Sequence, residues 1–193
     1  MIVLWAMMLW AAAIILAGTG YGARDLTRYA LDRRTVVLWG LLVWVLGWLT
    51  LSSLWPGTRV NLGFLVLAGL SAVVGLTVGS VRWWFMGALL GMLGAMIRLL
   101  APIAVHHASV MPVAAIESVG LGVAAGLGLG ESFPAATVAV LGEALASLVV
   151  ASRHTGVYNL GRHDLAMTLL AGLSAWAVGW VADRTWARLG RTA

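Results

Sequence analysis

Seven apolar runs follow one another along the chain, and most of them approach the length that crosses a lipid bilayer. A bilayer core about 30 Å thick takes about 20 helical residues. Inside that core each backbone group must find its hydrogen bond within the protein, so runs of this kind predict helices. We expect an all-α transmembrane bundle, a single integral membrane domain over 1–193, with helices at about 1–18, 35–55, 61–79, 83–105, 110–130, 132–152 and 164–183.

The composition favours the same class of protein. Hydrophobic residues make up 62% of the 193 residues, and charged residues only 10%. A water-soluble domain of this size needs a mostly polar surface, which this composition does not supply. We therefore expect the lipid bilayer to surround the protein, with the bacterial cytoplasmic membrane as its location.

The basic residues between the apolar runs predict an orientation. All twelve are Arg, and cytoplasmic loops of membrane proteins carry an excess of Lys and Arg. One side of the predicted bundle receives Arg24, Arg28, Arg33, Arg34, Arg82, Arg184, Arg188 and Arg191, and the other side receives Arg59, Arg153 and Arg162. The imbalance predicts an N-terminus outside the cell and a C-terminus in the cytoplasm.

Several function classes find no support in the sequence. The Arg residues lie singly or in small groups at the ends of apolar runs, so no basic face for nucleic acid is predicted. The chain has no Cys, which excludes Cys-ligated metal centres and thioether-linked haem, and no other cofactor is predicted. GxSxG, Walker and GxGxxG patterns and a pair of intramembrane aspartates are missing, so a non-enzymatic protein is favoured.

Glycine is dense in the fourth and fifth predicted helices. Gly122, Gly126 and Gly130 form two small-xxx-small steps, a spacing that allows helix backbones to approach closely. We expect close packing within the bundle to centre on these two helices. Dimerisation of the chain or binding of a membrane-protein partner through the same helices is the alternative.

Ionisable side chains inside a membrane are costly, so they are the first candidates for function. Arg98 lies seven residues before the end of the fourth predicted helix, and Glu117 lies seven residues after the start of the fifth. At 1.5 Å rise per residue, both lie about 10 Å from the same surface. We predict an Arg98–Glu117 ion pair, which either holds the bundle together or opens and closes during transport.

Glu143 is the third such residue and lies near the middle of the sixth predicted helix, with no evident cationic partner in the sequence. A protonated Glu143 could donate a hydrogen bond to a backbone carbonyl or to Ser147, one turn further along. It could also bind a proton in a coupled permease, or join Glu117 at the Arg98 charge. Glu143 is the best single candidate for a functional side chain.

Four His residues form a weaker pattern. His106 and His107 follow the fourth predicted helix, while His154 and His163 flank the loop before the seventh, all on the predicted outer side. Imidazoles from two loops could bind a divalent metal or respond to pH. No HExxH or similar spacing is present, and Asp164 is best interpreted as a helix N-cap, so no metal site is predicted.

The layout of the chain resembles one family. A short apolar N-terminal helix and basic first loop, a fourth helix that ends at Pro102 and is followed by Pro112, and Gly142-Glu143 inside the sixth helix are similar to the YphA-type multi-spanning membrane proteins of spore-forming Firmicutes. The resemblance covers most of the chain in layout and scattered residues in identity. It implies a role in spore envelope assembly, with no established catalytic or transport activity.

Three functions remain open at the level of sequence. The first is a non-enzymatic membrane protein that supports cell or spore envelope assembly through helix packing and partners. The second is a small proton- or cation-coupled permease that uses Glu143 with the Arg98–Glu117 pair. The third is a membrane enzyme acting on a lipid-linked substrate, with the outer His residues as acid or base.

Overall fold

A computed structural model describes residues 1–20, 27–29, 31–52, 59–104, 110–153 and 159–189. This part of the chain is dominated by seven helices, which confirms the predicted helical class. The helices are α1 (Ile2–Gly18), α2 (Arg33–Leu46), α3 (Leu62–Thr77), α4 (Val81–Ala104), α5 (Val110–Leu129), α6 (Ser132–Arg153) and α7 (Arg162–Leu189).

Three of these helices are each long and apolar enough to cross a membrane. They are α4 over Val81–Leu100, α6 over Ser132–Arg153 and α7 over Arg162–Ala187. Ile2–Gly18, Leu62–Thr77 and Val113–Leu129 are shorter apolar helices. By length and composition, these three helices are candidate membrane spans.

A small three-stranded sheet, which the sequence analysis did not predict, joins two of the connections between helices. Its strands are β1 (Thr50–Ser52), β2 (Arg59–Asn61) and β3 (Asn159–Leu160). β1 pairs with β2 in antiparallel fashion, and β2 pairs with β3 in parallel. The sheet therefore links the α2–α3 connection to the α6–α7 connection.

The predicted second helix, 35–55, is wrong in its C-terminal part. The structure ends α2 at Leu46 and places β1 a few residues later, and residues 53–58 lie outside the described residues. Asn61 explains this ending, because its side-chain amide donates a hydrogen bond of 2.9 Å to the Gly47 carbonyl, while its side-chain oxygen caps α3 at Phe64 N. The apolar run continues past Gly47, so hydropathy alone does not locate the change from helix to strand.

α6 lies at the centre of the bundle and has thirteen buried residues, more than α1, α2 or α3. The most extensive helix contacts are those of α5 with α7, α4 with α6, and α6 with α7. Gly130 separates α5 from α6 with a left-handed φ of +68°, which glycine adopts without steric cost. The four helices α4 to α7 therefore form one closely packed group.

Several glycines of α4 and α5 are in close contact with neighbouring helices, but mainly not with each other. A Cβ at Gly122 would overlap the Ser174 hydroxyl of α7, and one at Gly126 would lie 2.7 Å from the Val178 Cβ of the same helix. A Cβ at Gly91 would lie 2.8 Å from the Gly142 carbonyl oxygen of α6. The expectation of close packing holds for these residues, but their contacts pair α4 with α6 and α5 with α7.

Candidate functional site

The candidate site is a group of polar side chains where α4, α5 and α6 meet. α4 carries Arg98, α5 carries Glu117 and Ser118, and α6 carries Glu143 and Ser147. Glu143 and Ser147 are four residues apart and so lie on one face of α6. We call these five residues the Arg98 cluster.

Arg98 binds partners on both neighbouring helices. Its Nε lies 2.7 Å from Glu117 Oε2, and its Nη2 contacts Glu143 Oε1. Nη1 donates to the Ser147 hydroxyl over 3.1 Å, and Nη2 also donates to the Ser118 hydroxyl over 3.3 Å. One guanidinium group thus ties together three helices.

The structure therefore contains the ion pair that the matching depths of Arg98 and Glu117 predict. It also corrects the description of Glu143 as a residue without an evident cationic partner, because Glu143 joins Glu117 at the Arg98 charge. That arrangement was one of three alternatives open from the sequence. Matching depth relates consecutive helices only, whereas Glu143 reaches Arg98 because α6 packs against α4 at Gly91 and Gly142.

Burial of the cluster is nearly complete. The exposed fraction is 8% for the Arg98 side chain, 1% for that of Glu117 and 0% for that of Glu143. Charges removed from water in this way are tolerated only when they are paired and hydrogen-bonded. The contacts of Arg98 meet this requirement for the guanidinium group.

The two carboxyl groups are less completely satisfied than the guanidinium group. If both were ionised, they would outnumber the single Arg and leave one buried negative charge. Glu117 Oε1 and Glu143 Oε2 are both buried and have no hydrogen-bond partner among the described residues. An uncompensated charge in a medium of low dielectric is expensive, and the cluster holds one carboxyl group more than its single guanidinium group can balance.

Gly94 makes room for one of these oxygens. A Cβ at this position of α4 would overlap Glu117 Oε1, and it would also lie 2.8 Å from Leu121 Cδ1. The side chain of Glu117 therefore fits against α4 only because residue 94 lacks a side chain. The sequence shows Gly94 one turn before Arg98, but its role depends on the orientation of α5.

The polar region continues from Ser147 to the first turn of α7. The Asp164 carboxyl group interacts with the Ser147 hydroxyl and, over a longer range, with the Arg98 charge. The prediction that Asp164 is the N-cap is wrong, because α7 begins at Arg162 and Asp164 is its third residue. Its Oδ2 instead accepts a 2.9 Å hydrogen bond from Gly161 N, just before the helix.

The predicted outer group of His residues is only partly described. His106, His107 and His154 lie outside the described residues, so the structure does not test whether the four imidazoles meet. His163 is half-buried in the first turn of α7, and its Nδ1 atom has no hydrogen-bond partner in the described part of the chain. Within the described ranges, the structure shows no group of three or more His, Asp or Glu residues arranged to hold a metal ion.

Comparisons with protein-family models, curated proteins and solved structures found no match to this chain. The resemblance to YphA-type proteins stays a prediction. The functional argument consequently depends on the geometry of the chain itself.

Proposed function

We propose that this chain is a seven-span, non-enzymatic protein of the bacterial cytoplasmic membrane that supports cell or spore envelope assembly through its packed helices and their partners. Its N-terminus lies outside and its C-terminus in the cytoplasm. The observation that carries the proposal is the Arg98 cluster, which binds three helices to one another through buried charges. Such a centre stabilises a fixed arrangement of helices on which partners can assemble.

The first experiment tests the structural role of the cluster. Arg98→Gln leaves two buried carboxyl groups without a cation, and Glu117→Gln removes the 2.7 Å ion pair while Arg98 keeps Glu143. The double variant leaves Glu143 as the one buried carboxyl group without a cation. We expect each single variant to lower the yield and the melting temperature in detergent, and the double variant to recover part of both. A double variant no better than the worse single variant would contradict the pairing argument.

The second experiment tests the proposed orientation. The chain has no Cys, so a single introduced cysteine can be labelled without background. Thr50 lies in β1, just after α2, so Thr50→Cys should react with a membrane-impermeant maleimide in intact cells. Thr19 follows α1, so Thr19→Cys should react only after lysis. The opposite labelling pattern would show that the orientation is reversed. Equal labelling of both positions would show that α2 does not cross the membrane, which contradicts seven spans.

A proton-coupled permease is the second candidate, and the uneven charge of the cluster favours it. A buried site with two carboxyl groups and one guanidinium group can take up and release a proton when its surroundings change. In proteoliposomes with a pH gradient, this function predicts proton or solute flux that Glu143→Gln abolishes while the folded yield persists. Absence of flux for protons, metal ions and a broad solute panel would leave the envelope role.

A further inference from the structure

An apolar cavity lies on the side of the bundle that contains α1, α2 and α3. Its volume is about 230 Å³, and its walls come from α1, α2, α3, α6 and α7. An apolar cavity of about 150 Å³ is large enough to bind benzene or xenon and otherwise stays dry. This cavity can therefore hold a segment of hydrocarbon, and water is a poor occupant.

The chemistry of the walls supports a hydrocarbon occupant. Among the described residues, none that lines the cavity is charged, and the hydroxyl-bearing side chains in its walls are Ser71 and Thr137. Thr137 already donates its hydroxyl hydrogen to the Phe133 carbonyl over 3.0 Å, and Trp10 donates its indole N–H to the Gly40 carbonyl over 3.1 Å. These two groups do not need a polar ligand.

The cavity reaches the surface of the bundle at the end of α1. Leu16 lines the cavity and is also 46% exposed, so an occupant can extend past it to the outside. Arg33 lies at the same end of α1. Gly20 follows Leu16 by four residues, and the Arg33 Nη1 atom is 3.3 Å from the position that a Cβ on Gly20 would take. Val36, one turn after Arg33 on α2, is part of the cavity wall.

A molecule that enters here therefore meets hydrocarbon walls inside and a guanidinium group at the opening. A phospholipid combines the same two chemistries, an apolar chain and a phosphate, and Arg binds phosphate well. We propose that the cavity binds one acyl chain of a phospholipid, whose phosphate contacts Arg33. This inference depends on the membrane location proposed above, but not on the role of the Arg98 cluster.

Filling the cavity provides the first test. Ala13 lines it, whereas Ala12 is its exposed neighbour on the same helix, so Ala13→Phe and Ala12→Phe form a matched pair. Mass spectrometry of protein purified in mild detergent measures the retained phospholipid. We expect about one phospholipid per chain in the unchanged protein and in Ala12→Phe, and a loss of about tenfold in affinity for Ala13→Phe.

The opening is tested by a second matched pair. Arg33→Gln and Arg34→Gln remove the same charge from the start of the same helix. If Arg33 contacts the phosphate, Arg33→Gln should weaken retention by about fivefold, as expected for one Arg near a lipid headgroup, and Arg34→Gln should weaken it less. Equal effects of the two variants would remove the phosphate contact from the proposal.

If Ala13→Phe does not fold, a cross-linking experiment on the unchanged chain tests whether an acyl chain occupies the cavity. Phospholipids with a photoactivatable group on the acyl chain should attach to the cavity walls, at residues such as Trp10 and Trp176. Adducts confined to outward residues such as Val73, which is 56% exposed, would overturn the proposal, as would a free fatty acid as the only retained species. Cysteine labelling of the membrane orientation is independent of each of these results.

Discussion

The half of the bundle formed by α4 to α7 and the half formed by α1 to α3 are held together differently. The first half has close glycine contacts and the buried Arg98 cluster. In the second half, α1 and α2 have only two buried residues each, and the apolar cavity lies between these helices and α6. Close glycine contacts occur there too, because a Cβ at Gly40 would lie 2.8 Å from Ile14 Cγ1 and one at Gly63 would lie 2.7 Å from Gly47 Cα.

The difference shows what selects a helix arrangement in an apolar chain. In a bilayer, helices gain little by burying apolar surface against one another, because lipid is equally apolar. Close backbone packing and polar contacts remain as the forces that fix neighbours. The half of the chain that carries both is tightly packed, and the half with fewer of them retains space.

The largest expected effect comes from breaking the charge cluster. Arg98→Gln leaves two buried carboxyl groups without a cation, and loss of one partner from a buried ion pair costs about 3–5 kcal/mol. We expect a large fall in folded yield and melting temperature, measured by size-exclusion chromatography and thermal unfolding in detergent. Arg82→Gln is the control, because Arg82 is exposed and donates one hydrogen bond to the Gly128 carbonyl. Similar losses in both variants would contradict a special role of the cluster.

The next effect compares equal truncations at a buried position, where α7 packs against the α1–α3 half, and at an exposed position of that half. Leu169 of α7 is fully buried, whereas Leu38 of α2 is 66% exposed. Leu169→Ala should destabilise the protein by about 2 kcal/mol through the cavity it leaves, and Leu38→Ala should have little effect. Equal shifts in the melting temperature would show that Leu169 is no better packed than an exposed side chain of α2.

A smaller effect is expected at the glycine contact of α5 with α7. Gly122→Ala should cost about 1–2 kcal/mol, because the new Cβ overlaps Ser174 and forces the helices apart. Gly120 has nothing within 4 Å of its Cβ position, so Gly120→Ala should keep or slightly raise stability. Thermal unfolding of the two variants measures the contrast, and equal destabilisation would count against the close contact.

The smallest predicted effect concerns the connection between the halves. The Tyr29 hydroxyl donates to Glu131 Oε2 at the start of α6, and the Tyr29 ring packs 4.9 Å from that of Phe133. Tyr29→Phe removes the hydrogen bond and keeps the ring, at a cost of about 1 kcal/mol. Tyr29→Ala loses both and should be less stable than Tyr29→Phe. If Tyr29→Phe is as stable as the unchanged chain, the hydrogen bond makes no net contribution to the free energy of unfolding.

The sequence predicts where the helices lie along the chain better than it predicts which helices pack against each other. Apolar run length locates the helices because each helix satisfies its own backbone groups, and Gly130 marks the turn between α5 and α6. The end of α2 escapes such reasoning, since it depends on the contact of Asn61 with Gly47 across a connection. Strands as short as β1 and β3 have no periodicity that could reveal them.

In the candidate site, too, the sequence predicts what depends on position along the chain and misses what depends on helix packing. Depth along consecutive helices is a property of the sequence, so the pairing of Arg98 with Glu117 could be predicted. The addition of Glu143 requires knowing that α4 packs against α6, and the role of Gly94 requires the rotation of α5 about its axis. Both are tertiary facts that hydropathy and spacing do not contain.

The three-stranded sheet has a consequence for how the chain is made. β1 and β2 are close in sequence and can pair as soon as α3 begins, but β2 receives its partner β3 only when Asn159 and Leu160 have been synthesised. Pairing between residues so far apart in sequence is slow, because closing a long loop is entropically costly. The sheet therefore closes late in folding, after α6 has been made, and the connection between α2 and α3 reaches its final form only then.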